Sequence, residues 1–130
     1  MTDRSDTQNT TALTLSRDKR LRKTREFQRC FAALRAGDDH LLLFGAENKN
    51  GISRVGVSVS KKHGNAVARN RKKRLLREAW RTSQNELPDG FDYVMVPRQR
   101  SDSSLEDYQE SVRSLGRKIQ RKHRKAKETT

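Results

Sequence analysis

Residues 64–81 read G-N-A-V-A-R-N-R-K-K-R-L-L-R-E-A-W-R, and no other stretch limits the possible fold so tightly. Wound at about 100° per residue, the segment separates into two faces. Ala68, Leu75, Leu76, Ala79 and Trp80 fall on one arc, and Asn70, Lys73, Arg74, Arg77 and Arg81 gather on the opposite one. The first face must pack against something apolar. The second must meet solvent or a polyanion, because positions 61–81 hold nine Lys and Arg against one acid, Glu78, and like charges one turn apart repel. Glu78 lies a turn from both Arg74 and Arg81, so an ion pair accounts for it. A solvated surface helix or a targeting run would also be this basic, but a targeting run needs no packing face. The segregation of the faces favours nucleic-acid binding.

Composition points the same way. The chain has 130 residues, enough for one domain with a modest core. Its 30 Lys and Arg against 16 acids give a net charge of +14 and a pI near 10.7, a balance suited to phosphate backbones or an anionic surface. No apolar run approaches the roughly 18 residues of a membrane span, and the start shows no signal-peptide pattern. The expected location is cytoplasmic. The single cysteine, Cys30, excludes an internal disulfide and fits a reducing compartment. Its apolar neighbours at helical spacing suggest a buried, inert thiol. With 31% hydrophobic and 5% aromatic residues the core must be lean.

Residues 1–14 are too polar to offset the entropy of ordering and read as a disordered tail. A single domain is expected over 15–122, with a basic C-terminal tail at 123–130. Thr24 suits an N-cap for a helix from about residue 25 to 36, with Gly37 at its end and Phe27, Cys30, Phe31 and Leu34 along one stripe. Phe27 and Phe31 fit either core packing or an aromatic wall beside a nucleic-acid groove.

The runs 40–46 and 54–60 flank strong turn chemistry at 48–51 and predict an antiparallel hairpin. Val55, Val57 and Val59 would face the core. Gly56, Ser58 and Ser60 would form a small polar face, either solvated or open to a nucleotide backbone. Gly64 permits a turn into the basic helix and Asn65 suits its N-cap. The backbone amides at that helix start could add an anion site, and His63 lacks the partners of a metal site. Residues 91–96 predict a third strand ended by Pro97. Ser103 with Glu106 fits a capping box for a last helix striped by Leu105, Tyr108, Val112, Leu115 and Ile119, before a basic tail at 121–127. The order helix, strand, strand, helix, strand, helix implies an α/β sandwich with a small mixed β-sheet.

No phosphate-binding glycine loop, zinc signature, C-x-x-C or nucleophile elbow occurs, and no carboxylate pair is placed for acid–base work. No catalytic or metal-binding residue is assigned to this chain.

The run from Arg54 to Arg81, centred on K-K-x-G-N-A-V-x-R-N-R-x-K-R-L-x-R-E, resembles the signature of the bacterial ribonuclease P protein component. The likeness extends to L-R-K-T-R-E-F-Q-R-C-F and F-D-Y-V-M-V-P-R, about 100 residues in all. His63 stands where the family usually has an apolar residue, and Trp80 where Phe is common.

The resemblance implies a subunit that joins a large catalytic RNA to remove the 5′ leader of precursor tRNA. The active site and its Mg²⁺ would belong to the RNA, with one protein per RNA. By the family pattern Arg69, Asn70, Arg71, Lys73, Arg74 and Arg77 contact the catalytic RNA, with Lys61 and Lys62 as the lead-in. Phe27, Phe31, Phe44, Ser58 and Lys62 would line a groove for the single-stranded leader. The family's fold also implies a left-handed βαβ crossover around the basic helix, against the general rule. Two other classes were open to the residues alone. A structural ribosomal-type RNA-binding protein fits the charge. A DNA-binding protein fits less well, because no zipper heptads follow the basic helix.

Overall fold

The structure, a computed structural model, describes residues 19–87 and 89–128; the tail expected at 1–14 lies outside them. The elements are α1 (Thr24–Phe31), β1 (Leu34–Gly37), β2 (Leu41–Glu47), β3 (Arg54–Val57), α2 (Ala66–Ser83), β4 (Phe91–Pro97) and α3 (Leu105–Glu128). The strands form one mixed sheet in the order β1-β2-β4-β3. β2 is antiparallel to β1 and β4, and β3 is parallel to β4. The parallel pair is joined through α2, the basic helix. This is the expected α+β sandwich with three helices and a small mixed sheet.

Four local expectations are corrected. The first helix stops at Phe31, and Leu34 lies in β1 opposite Gly45. Its i+7 spacing from Phe27 continued the helical stripe by coincidence. Glu26, not Thr24, organises the helix start, its carboxylate accepting the N–H groups of Arg22 and Lys23, each at 3.1 Å.

The predicted hairpin does not form. Asn48 does turn the chain, its Oδ1 accepting the Asn50 N–H at 3.0 Å, but β4 lies between β2 and β3. Phe91 to Met95 are all buried, so this strand takes the centre of the sheet.

The capping box is one residue later than expected. Ser104 N donates to Asp107 at 2.9 Å and Asp107 N donates to Ser104 Oγ at 3.1 Å. Ser103 is buried, with its hydroxyl 2.7 Å from His40 Nδ1. Finally, the basic residues at 121–127 continue α3 as a helix.

The sheet separates two apolar layers. On one face α2 and α3 bury Leu76, Ala79, Trp80, Val112, Leu115 and Ile119 against Val55, Tyr93 and Met95. Trp80 and Tyr93 rings lie 5.0 Å apart; side chains of this size contribute roughly 1.5–3 kcal/mol each on burial. Val57 and Val59 pack partly against this layer, as the alternation predicts. On the other face α1 covers a smaller cluster of Leu21, Cys30, Phe44, Ala46 and Val94. Cys30 is fully buried, and burial followed by the charge of Asp92 pushes its thiol up to about 12, so it is inert.

Candidate nucleic-acid interface

The basic helix keeps its two faces in the fold. Asn65 caps it, accepting the Ala68 N–H at 2.9 Å. Leu76, Ala79 and Trp80 are buried, and Leu75 is partly so. Asn70, Arg71, Arg74 and Arg77 are exposed, while Arg69 and Lys73 are half-buried.

Two basic residues of α2 are taken up by the protein itself, Arg81 in the ion pair expected for Glu78 and Lys72, which lay outside the predicted cation arc, in the interior. Arg81 is held by Glu78, with Nε at 2.9 Å and Nη2 at 2.5 Å. Lys72 is buried at 6% exposure and its ammonium donates to the Arg100 carbonyl, pinning the loop after β4 to α2. Burial, then Arg71, lowers its pKa. The sequence does mark Lys72: at about 100° per residue it falls in the middle of the apolar arc, one turn from Ala68 and from Leu76.

Lys61 and Lys62 are exposed on a short 3-10 turn, Lys61–His63. His63 fixes that turn. The Ser60 N–H donates to His63 Nδ1 at 3.0 Å, and Nε2 lies 2.8 Å from the Pro97 carbonyl. Gly64 then enters α2 with φ 116°, a conformation that favours glycine. The lysines, α2 and the end of β4 are thereby held together. Lys62, Arg71 and Arg100 line a cleft on one side of α2. Arg77 faces the other side, toward a cleft shared with Arg20, Arg22 and Phe27.

Of the predicted groove residues, Phe44 lies in β2 on the α1 side of the sheet, Phe27 and Phe31 stand on α1, Ser58 follows β3 and Lys62 lies on the 3-10 turn; the sheet face itself is built of cross-strand rows. Asp92 pairs in register with Ala46 and Arg54; Val94 pairs with Phe44 and Gly56. α1 covers both rows. Phe27 sits over Gly56, where an added Cβ would come within 2.5 Å of its ring. The expectation that Gly56 is open to a nucleotide backbone is therefore corrected.

The next row is open. Leu42 pairs with Val96, and Ser58 follows β3 with its N–H donating to the Met95 carbonyl at 2.9 Å. Leu42, Val96 and Ser58 are all half-buried. Phe31 ends α1 beside this strip, 41% exposed, its ring edge-on to Phe44 at 4.9 Å. Phe44 itself is 8% exposed and mainly packs. Leu42 and Val96 were missed in the sequence, although their i, i+2 spacing from Phe44 and Val94 places them on the same face. The result is an apolar strip with one exposed aromatic, next to a cationic helix.

The family model described as Ribonuclease P matches residues 15–121. This chain belongs to the ribonuclease P protein family. It is 36% identical over 103 residues to the ribonuclease P protein component of Clostridioides difficile (strain 630), spanning 77% of this chain and 90% of that one. The corresponding component from Clostridium novyi (strain NT) is 37% identical over 105 residues, covering 78% and 93%. The RNase P protein from Thermotoga maritima superposes with a TM-score of 0.69 at 29% identity, covering 77% of this chain and 96% of that one. A Staphylococcus aureus RNase P protein gives 0.66 at 30%, covering 75% and 91%. The match to the family includes α2, β4 and the open strip, and ends within α3, which continues to Glu128.

Proposed function

We propose that this chain is the protein subunit of a ribonuclease P ribonucleoprotein and acts in 5′ maturation of tRNA. The exposed side of α2, with Arg69, Asn70, Arg71, Lys73, Arg74 and Arg77 and the lead-in Lys61 and Lys62, docks on the catalytic RNA. The strip of Leu42, Val96 and Ser58, flanked by Phe31 and Lys62, holds the single-stranded leader of precursor tRNA.

The observation that carries this reading is the juxtaposition of the two surfaces. Arginine forks neutralise closely spaced phosphates of a folded RNA. The strip offers stacking and backbone contact with few groups to read bases, which suits leaders of varied sequence. Together they hold the leader and the scissile bond in register, an entropic contribution to catalysis.

The catalytic groups reside on the RNA. Among the described residues, no group of three or more His, Cys, Asp and Glu is placed to hold a metal ion. Mg²⁺ held by the RNA would stabilise the charge that develops during hydrolysis. One protein binds each RNA. No described helix is long and apolar enough to cross a membrane, and the reading places the work in the cytoplasm.

The test is reconstitution. The chain is mixed with a bacterial ribonuclease P RNA at limiting Mg²⁺ and cleavage of precursor tRNA is followed. Rescue of cleavage is the expected result; none at any protein concentration sinks the assignment.

A further inference from the structure

The outer face of α3 carries a second concentration of charge that the site above does not use. Residues 117–125 read R-K-I-Q-R-K-H-R-K, six Lys and Arg with no acid. Ile119 and Gln120 point inward, both buried, with Gln120 donating to the Tyr93 hydroxyl at 2.8 Å. Arg117, Lys118, Arg121, Lys122, Arg124 and Lys125 are exposed around the opposite side.

Like charges at i, i+4 recur three times here, in Arg117–Arg121, Lys118–Lys122 and Arg121–Lys125, and each pair disfavours an isolated helix. Cations do favour a helix C-terminus, but that effect fades beyond the last turn. Side contacts hold the segment rigid instead. His123 stacks edge-on against Phe91 at 4.9 Å and lies 3.6 Å from Glu47, which also pairs with Lys127. Lys122 donates to the Arg35 carbonyl on β1. Arg117, Lys118, Arg121, Arg124 and Lys125 make no ion pair among the described residues.

The location is separate from the α2 surface. His63 ties the start of α2 to Pro97, at one end of β4. His123 ties the α3 array to Phe91, at the other end. α3 packs on α2 through its first half, where Gln109 donates to Thr82 at 2.9 Å, and on β1 and β2. The family match ends at residue 121, so Lys122, Arg124 and Lys125 lie beyond it.

We propose that the outer face of α3 from Arg117 to Lys125 is a second RNA-docking surface, fitted to the phosphate rails of an RNA duplex. The inference rests on the reading of the chain as a ribonuclease P subunit. The segment carries no Phe, Tyr or Trp and its His123 ring is engaged with Phe91, so unpaired bases would find nothing to stack on. A row of cations on a rigid helix meets the regular phosphates of an A-form stem instead. A lipid surface fits poorly, because the apolar side of α3 is spent in the core and has nothing left to insert. The duplex is a stem of the catalytic RNA, the partner on which the α2 surface docks in that reading.

The test uses the full chain with Lys118→Gln, Arg121→Gln and Lys125→Gln combined. Binding is titrated against salt with a blunt RNA duplex of about 16 base pairs, the length a dedicated duplex-binding domain spans, and with one of its strands alone. The salt slope for the duplex should fall by roughly 2–3, at about 0.9 per phosphate no longer neutralised, while that for the single strand stays put. Titration with the catalytic RNA should show the same fall in slope; a fall seen only when mature tRNA is titrated onto the preassembled complex overturns the choice of stem. An unchanged duplex slope overturns the proposal, as does an equal fall for the duplex and the single strand. If the triple variant melts early, Arg121→Gln and Lys125→Gln singly carry the test, each lowering the slope by roughly 0.9. Wild-type protein that fails in reconstitution yet shows the α3-dependent duplex slope would sink the ribonuclease P reading alone.

Discussion

Arg54 grips Asp92 with both prongs of its guanidinium, Nε to Oδ1 at 2.9 Å and Nη2 to Oδ2 at 2.8 Å. The Asp92 side chain is 1% exposed. The same carboxylate accepts from Asn48 at 2.8 Å and from Arg29 at 3.3 Å, and Arg54 reaches on to Glu26 at 3.0 Å. One buried acid thus ties α1, the loop before β3, β3 and β4 into one frame beneath α1, two rows along the sheet from the strip.

Removing that acid leaves two guanidiniums without their partner. Asp92→Ala should cost roughly 3 kcal/mol, the lower end of the range for breaking a buried pair, since Arg54 keeps some solvent contact. The check is urea denaturation of the single variant, of Arg54→Met and of the double variant. Strictly additive losses would mean that the pair is not coupled.

Glu26 provides a pH signature for the same frame. Burial alone would raise its carboxyl. The N–H groups of Lys23 and Arg22, then Arg54, outweigh burial and bring it below its ordinary value of 4.5. A depressed carboxylate contributes stability that is present above 4.5 and is lost as pH falls through the folded value. The stability gap between wild type and Glu26→Gln should therefore narrow as pH drops from 4.5 downward. Denaturant melts at a series of pH values read that gap, and a constant gap contradicts the account.

The packing of Phe27 over Gly56 separates structure from function in the groove. Gly56→Ala should displace the ring and cost about 1–2 kcal/mol, within the usual range for overpacking. Phe27→Leu in the same chain should recover part of that loss. Thermal melts of the four species measure the coupling, and no recovery would mean that the ring is not what the added methyl strikes.

Phe31 is the aromatic to test for leader binding, because Phe44 is buried and its removal would cost about 3 kcal/mol or more of fold stability. Phe31→Ala should leave the melting transition nearly in place and weaken precursor tRNA binding more than mature tRNA binding, by about 1 kcal/mol or more for removal of one stacked ring. Equal losses for both substrates would remove the leader from this strip.

On the other surface, Arg74→Ala with Arg77→Ala should weaken binding to the catalytic RNA with little change in stability, since neither arginine has an ion pair among the described residues. The salt slope should flatten by about 0.7–0.9 for each phosphate that the variant no longer neutralises. Marked unfolding of the pair would make these arginines structural.

The basic helix was legible in the sequence because burial of one side imposes a 3.6-residue period that Leu76, Ala79 and Trp80 obey. The valines of β3 were legible through their alternation. The neighbours of β3 were not, because the strand that pairs with it lies beyond an 18-residue helix and local turn chemistry at Asn48 pointed to β2 instead. Leu34 shows the limit of periodicity, since a strand residue can extend a helical stripe by chance. Asp92 shows another limit. An acid inside an apolar strand is visible, but the groups that satisfy it converge from distant parts of the chain. The pairing of Glu78 with Arg81 was legible from their spacing, whereas the Arg100 carbonyl that holds Lys72 comes from a loop 28 residues away.

The placement of β4 also bears on how the chain is made. A ribosome completes β1, β2 and β3 well before it reaches residues 91–97, yet β2 and β3 share no ladder until that strand slides between them. A nascent chain halted at the end of α2 would leave unpaired strand edges on β2 and β3 and an uncovered Trp80, the kind of surface on which chaperones act. The β1–β2 ladder can close early, but the joining of β3 to it arrives late in synthesis, after the strongly cationic helix has already emerged.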